Sequence, residues 1–273
     1  MSDRVSCTVA DGVADVRLSR PEKRNAIDLA MLEALIDAGE ALRDEPAVRA
    51  VVLSGEGRSF CAGLDRAFFE MMMGKNEAGA SSAAAGALDH RDGQLASVAQ
   101  QAVTVWSTLE APVIAAIHGH ALGGGLQLAL GADIRIVAPD AQLSVLEIRW
   151  GLIPDMTGTQ ALPALVGLDV AKELTFTGRM VNGLEAQRLG LATQVSDAPR
   201  DDALALARQM VGNSPSALRS AKALLNLAGR VSFEEGLLAE QRAQRALIGS
   251  ADQMEAIASF LEQRPPRWSG PHS

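Results

Sequence analysis

Three observations predict an α/β fold for this 273-residue chain. Short apolar runs of strand length alternate with segments of helical periodicity as far as residue 198. Two of the strand-to-helix junctions carry glycine, at Gly63 and at Gly123-Gly124-Gly125. From Pro199 onward the pattern is helical throughout. Alternating elements followed by a helical tail suggest an α/β fold with a C-terminal helical appendage.

The elements follow in order. Val5–Val9 and Val13–Leu18 read as two strands joined at Asp11-Gly12, a hairpin signal. Asp28 is a natural N-cap for a helix with Leu29, Leu32, Leu35, Ile36 and Leu42 on one face, and Pro46 closes it. Ala50–Leu53 is a buried strand, and a helix is expected from Asp65. Residues 71–93, rich in Met, Ala, Ser and Gly, are expected to form a mobile segment or pocket wall. Within them Met71-Met72-Met73 is core filler or the flexible wall of an acyl pocket. Gln94–Leu109 is helical, and Ala111-Pro112 stops it before the strand Val113–Ile117. A helix opens after the triple glycine, short strands follow at Ile134–Ala138 and Gln142–Val145, and Leu146–Thr159 is irregular. Helices are predicted at Ala161–Val166, Asp169–Phe176, Ala203–Val211, Ser216–Leu227, Phe233–Ile248 and Ala251–Gln263.

Composition excludes several classes. The formal charge of −8 argues against a nucleic-acid surface. Two cysteines, Cys7 and Cys61, imply no disulfide framework and fit a reducing compartment. No run approaches the ~18 apolar residues of a membrane span, and the N-terminus has no apolar stretch of signal-peptide length. The expectation is a cytoplasmic protein without a membrane partner. Tyr is absent and aromatics make up 3%, so the core must be aliphatic.

The glycine junctions carry the first chemical signal. The opening N–H groups of a helix have no intrahelical partner and lie at the positive end of its dipole. Bare backbone there can hold an oxyanion, and two junctions could each supply one N–H to a single carbonyl oxygen. The alternative is that the glycines only allow tight packing. The stretch lacks the Lys-Ser/Thr of a P-loop and the spacing of G-x-G-x-x-G.

Carboxylates carry the second signal. Glu147 sits among Leu143, Val145, Leu146 and Ile148, and a carboxylate in apolar company has the raised pKa of a general base. A solvent-facing Glu, or one paired with Arg149, is the plainer alternative. Asp155 is either a further acid/base or a helix N-cap. His118 and His120 have no Cys or further His nearby to complete a metal site, so no metal is expected. Cys61 reads as a buried thiol before a nucleophile. A G-x-S-x-G elbow is absent.

Taken together, several stretches resemble the crotonase, or enoyl-CoA hydratase/isomerase, superfamily almost end to end. They are RPEKRNAID (20–28), SFCAGLD (59–65), AAIHGHALGGGLQLALGADIRI (115–136), LEIRWGLIPDMTGTQALPALVG (146–167), LEAQRLGLATQV (184–195) and SFLEQRPPRW (259–268). The resemblance implies a spiral of ββα turns over residues 1–198 holding an acyl-CoA site, and a helical trimerisation region over 199–273. It implies a homotrimer or dimer of trimers and an acyl-CoA thioester substrate, with coenzyme A part of that substrate and no separate cofactor. By motif position the oxyanion donors are the N–H groups of Leu64 and Gly124, flanked by Ala62, Gly63, Asp65 and Gly123. Lys23, Arg24 and Ala26 match the loop that contacts the CoA phosphates and adenine, and Phe260 lies in the C-terminal motif that also reaches CoA.

Two departures shape the functional expectation. Hydratases of the family use two glutamates; Glu147 matches the second, but Gln127 occupies the place of the first. An amide can hold a water and cannot exchange a proton at neutral pH. Asp155, eight residues after Glu147, is spaced like the acid/base partner of the dienoyl-CoA isomerase branch. At the C-terminus, Gln263 stands where many members carry Lys, with Arg264 beside it. The leading expectation is therefore an enoyl- or dienoyl-CoA double-bond isomerase using Glu147 and Asp155. A 2-enoyl-CoA hydratase with Gln127 positioning water is the alternative, and a non-catalytic acyl-CoA-binding protein the second.

Overall fold

The computed structural model describes residues 3–72, 86–91 and 93–268. Most of the stretch expected to wall an acyl pocket, 73–85, lies outside the described residues.

The Asp11-Gly12 turn joins β1 (Val5–Ala10) and β2 (Val13–Leu18) into an antiparallel hairpin, as the sequence predicts. The rest of the main sheet is parallel: β3 (Ala50–Gly55), β4 (Val113–Ile117), β6 (Ile134–Val137) and β9 (Gln194–Val195) complete the order β1-β2-β3-β4-β6-β9. A second sheet of β5 (His120–Leu122), β7 (Gln142–Ser144) and β8 (Val181–Asn182) stands beside it. Every residue of β3 and β4 is buried. Strands covered on both faces read as continuous apolar runs, which is what made them legible.

Each face has its own cover. Val51, Leu53, Val113, Ala115 and Ile117 point into the main core with α1 (Leu29–Arg43), α3 (Val98–Ser107) and α4 (Gly124–Leu130). A seven-residue α2 (Arg66–Met72) lies between α1 and α3 in sequence. Val13, Ala50, Val52, Ile114, Ala116 and Ile136 point the other way, onto Ala203, Ala207 and Val211 of α8 (Pro199–Val211). From Pro199 to Leu261 the chain forms four successive helices, and the first of them packs on the sheet.

Local signals place the helix ends. Asp28 caps α1 by accepting from Met31 N at 2.8 Å. Ser97 and Gln100 form a capping box, so α3 begins four residues later than the predicted Gln94. Gln94 instead lies in the preceding turn, its N–H bonded to Arg91 O. Between β7 and β9 come α5 (Gly158–Val166), α6 (Leu168–Thr177) and α7 (Gly183–Leu189). Beyond α8 are α9 (Pro215–Leu227), α10 (Phe233–Leu247) and α11 (Ala251–Leu261). α9 is tied to the core by buried Lys222, whose Nζ reaches Asp133 at 2.8 Å and Ala111 O at 2.9 Å. Large apolar side chains of α9 to α11, Leu225, Phe233 and Phe260 among them, face outward. Among the described residues no helix is long and apolar enough to cross a membrane.

Candidate active site

The site is assembled where the parallel strands end. After the α1-side loop, Ile27 N donates to Gly63 O at 2.7 Å and Asp65 N donates to Ile27 O at 2.9 Å. This parallel bridge turns the Leu64 N–H to the opposite side, and among the described residues it donates to no protein acceptor. Gly63 has φ +86°, and a Cβ there would meet Leu122 O at 2.6 Å and Gly123 N at 4.0 Å. The glycine thus brings the Leu64 peptide against the β5-to-α4 junction.

At that junction Gly123, at φ +51°, donates to Ser144 O and leads into α4. Gly124 is the first helical residue, and its N–H also has no protein acceptor among the described residues. Two unpartnered N–H groups on adjoining segments can hold one carbonyl oxygen.

One turn into α4, Gln127 is 2% exposed. Its Oε1 accepts from Met156 N at 2.8 Å and Gly158 N at 3.0 Å, and its Nε2 donates to Glu147 Oε1 at 2.6 Å. Glu147 is not a solvent-facing strand residue and forms no pair with Arg149. It opens a 3-10 turn, Glu147–Trp150, and is 7% exposed. Its Oε2 is buried with no hydrogen-bond partner. Burial pushes its pKa up, and the nearby Asp155 charge adds to that; its own backbone N–H and the Gln127 amide offset part of the rise.

Asp155 is not the N-cap of α5. Thr157, in the left-handed region at φ 69°, takes that position. The Asp155 residue has an exposed face, yet enough protein surrounds the carboxyl that desolvation raises its pKa. The structure brings Glu147, Gln127 and Asp155 together, with Gly123 against the Glu147 carboxylate: a Cβ at Gly123 would sit 3.3 Å from Glu147 Oε1.

Other predicted residues fall differently. Lys23 and Arg24 are exposed on the 20–28 loop; burial lowers the His120 pKa, and Arg24 lies near enough to add to that. Ala26 is buried, and its carbonyl accepts from Arg20. Ala62 N donates to Arg24 O, fixing the loop to the Gly63 segment. Asp65 is engaged by structure: it pairs with Arg20 and accepts from Ala67 N at the start of α2. Burial pushes its pKa up, but those two partners outweigh that and hold the carboxyl below its ordinary value. Phe260 is 81% exposed and takes no part in the buried cluster. Arg264 is occupied by Glu255 and Glu262. The Cys61 thiol donates to Asn25 O, and burial pushes its pKa to about 12, so it is a packed thiol. His118 bonds Gly57 O and His120 bonds Ser59. Among the described residues no three His, Cys, Asp or Glu side chains converge as metal ligands.

Two residues that set this geometry escaped the sequence reading. Asn25 is fully buried at φ 57°; its Oδ1 accepts from Arg20 N and its Nδ2 serves Glu56, Ser59 and Phe60 carbonyls. Arg20 links Asp28, Asp65 and Ala26 O. The available signal was their company in RPEKRNAID, a polar stretch between two buried elements.

Comparison with known proteins now places the chain. The family model for enoyl-CoA hydratase/isomerase matches residues 8–271. The chain belongs to the enoyl-CoA hydratase/isomerase family. Among relatives of this family, the mouse mitochondrial methylglutaconyl-CoA hydratase is 34% identical over 266 residues, covering 95% of this chain and 80% of that protein. Mouse enoyl-CoA hydratase domain-containing protein 2 is 34% identical over 269 residues, covering 95% and 85%. Among solved structures, the enoyl-CoA hydratase from Bacillus anthracis superposes with a TM-score of 0.86 at 33% identity, covering 97% of this chain and 98% of that one. The expected crotonase fold and membership in a family of enzymes hold.

Proposed function

We propose that the protein hydrates a 2-enoyl-CoA thioester, with Glu147 as the single base. The observation that carries this is the partnerless, buried Oε2 of Glu147 beside the Gln127 amide, whose oxygen already accepts two backbone N–H groups. The thioester oxygen is held by the N–H groups of Leu64 and Gly124. Water lies against Glu147 Oε2, with the second Nε2–H of Gln127 as its donor. As the water oxygen bonds to C3, Oε2 takes one proton and the C2=C3 electron pair moves to the thioester as an enolate. The same Oε2–H then delivers that proton to C2. Water is added across the double bond, and one carboxylate suffices. The names of the hydratase relatives support this order over the double-bond isomerase that the Gln127 departure first suggested.

The isomerase is the second reading, favoured by one observation. Asp155 is close enough to raise the Glu147 pKa and is itself raised. Two such carboxyls could remove a proton from C2 of a 3-enoyl-CoA and return one at C4.

Parallel assays decide between them: hydration of crotonyl-CoA and isomerisation of a 3-enoyl-CoA, with wild type, Glu147→Gln and Asp155→Asn. Hydration abolished by Glu147→Gln but surviving Asp155→Asn is the expected result. Isomerisation lost in both variants, with negligible hydration throughout, would install the isomerase. Binding of acyl-CoA without turnover of either substrate would leave only a carrier role.

A further inference from the structure

A cleft at the opposite end of the main sheet from Glu147 has the make-up of a second ligand site. The candidate active site follows the C-terminal ends of the parallel strands. This cleft opens where β2 and β3 begin, and encloses about 640 Å³. That is within the range of small-molecule sites and several times the size of a lone phosphate. Its walls include Arg49, Arg208, Arg219, Trp268, Pro46 and Pro215, with Asp11 as the one acid lining it. Three guanidinium groups line this one cavity in a chain of net charge −8, although Arg219 also lies 3.8 Å from Glu110.

The walls are built rather than incidental. Arg49 Nη1 donates to Val211 O at 3.3 Å, tying the start of β3 to the end of α8. Gly12, at φ +81°, makes room for it: a Cβ there would sit 2.8 Å from Arg49 Nε. The start of α9 is bound to α11 through Asp252, which accepts from Ser214, Ser216 N and Ser216 Oγ. The segment bearing Trp268 is pinned as well. Glu255 on α11 accepts from Arg264 Nη1 and Nη2 and from the Arg267 N–H, which holds its pKa down to about 2. Pro265 and Pro266 then stiffen the approach to the indole.

We propose that this cleft binds a nucleoside diphosphate, distinct from any nucleotide held as part of CoA near Glu147. Guanidinium forks match phosphate oxygens, and an indole face beside prolines is a stacking platform for a base. Immobilised walls lower the ordering cost of binding.

ADP titration by calorimetry in saturating CoA tests this, with inorganic pyrophosphate as the base-free probe. One ADP is expected per protomer with CoA present. Arg208→Ala should weaken ADP and pyrophosphate alike by about tenfold, and Trp268→Ala should weaken ADP alone. Arg24→Ala, on the proposed CoA loop, should leave this site unchanged, and Arg208→Ala should leave acyl-CoA turnover unchanged. ADP binding that CoA or Arg24→Ala abolishes would overturn the proposal by reducing it to the CoA site. Equal affinity for ADP and pyrophosphate, with Trp268→Ala silent, would overturn it by showing only an anion patch.

Discussion

Gln127 donates its Nε2 to Glu147 Oε1 at 2.6 Å, and the backbone leaves the amide no other way to sit. Two N–H groups, from Met156 and Gly158, converge on the far atom of that amide, so that atom must be the oxygen. The amide is therefore spent on its acceptor side. Gln127 cannot accept a proton from water, whereas Glu147 Oε2 is buried with its lone pairs unengaged.

Replacing Glu147 by Gln should lower kcat/KM by roughly 10²–10⁴-fold, the usual worth of a general base. The same change should raise stability at neutral pH. A carboxyl whose folded pKa is raised contributes most below its unfolded value of about 4.3, and that contribution is lost as pH rises through the folded value. The ionised Glu147 is thus a liability at pH 7 that the neutral amide removes. Thermal melts should show a gain at pH 7 that vanishes near pH 4; a loss at pH 7 would contradict the burial argument.

Asp155→Asn removes a negative charge that helps hold the Glu147 pKa up. Activity needs the ionised base, so it falls as pH drops through that pKa. The acid limb of the kcat/KM profile should therefore move to lower pH in the variant. An unmoved limb would mean that Asp155 does not reach Glu147 electrostatically.

The sequence carried some of this and concealed the rest for identifiable reasons. The two glycine junctions and buried Glu147 were legible because each needs a special residue at a fixed place in an apolar run. Asp28, Pro112 and the Asp11-Gly12 turn announced their elements through local chemistry alone. Asn25 and Arg20 were concealed because their partners lie up to 45 positions away in the chain, at Asp65. Asp155 was ambiguous because a helix followed it, and only the left-handed Thr157 showed that the cap was elsewhere. The packing of α8 on the sheet was concealed because its small residues, Ala203 and Ala207, give a weak apolar stripe.

Gly158→Ala should damage catalysis without touching the carboxylates. A Cβ there would lie 2.7 Å from Gln127 Oε1 and 3.0 Å from Cγ, so the amide must shift away from Glu147. Displacements of that size cost on the order of 10- to 100-fold in turnover. The loss should fall on kcat, with KM for acyl-CoA little changed. A fall in affinity alone would show that Gln127 does not orient Glu147.

Gln127→Glu should turn the site into a coupled pair. The new carboxylate keeps Met156 N and Gly158 N on one oxygen, and its other oxygen faces Glu147 at the present 2.6 Å. Two carboxylates that close cannot both ionise, so they share a proton and titrate as a unit. The acid limb should move to higher pH, opposite to Asp155→Asn. Above that limb, hydration of crotonyl-CoA should rise relative to isomerisation, because a second acid/base is now present. A profile identical to wild type would show that the amide was not what limits proton exchange.

The outward apolar residues of α9 to α11 lead to an expectation about assembly. Phe233 is 76% exposed, Leu225 74% and Leu261 74%, on three successive helices. Large exposed apolar area of this kind marks a surface that is covered in use. Light scattering should return a mass of three or six times the 28.6 kDa protomer. Introducing charge on two of the helices, as Leu225→Glu with Phe233→Glu, should lower that mass while far-ultraviolet dichroism stays unchanged, because neither side chain contributes to the buried core. A wild-type monomer at micromolar concentration would leave these residues without a partner of their own kind.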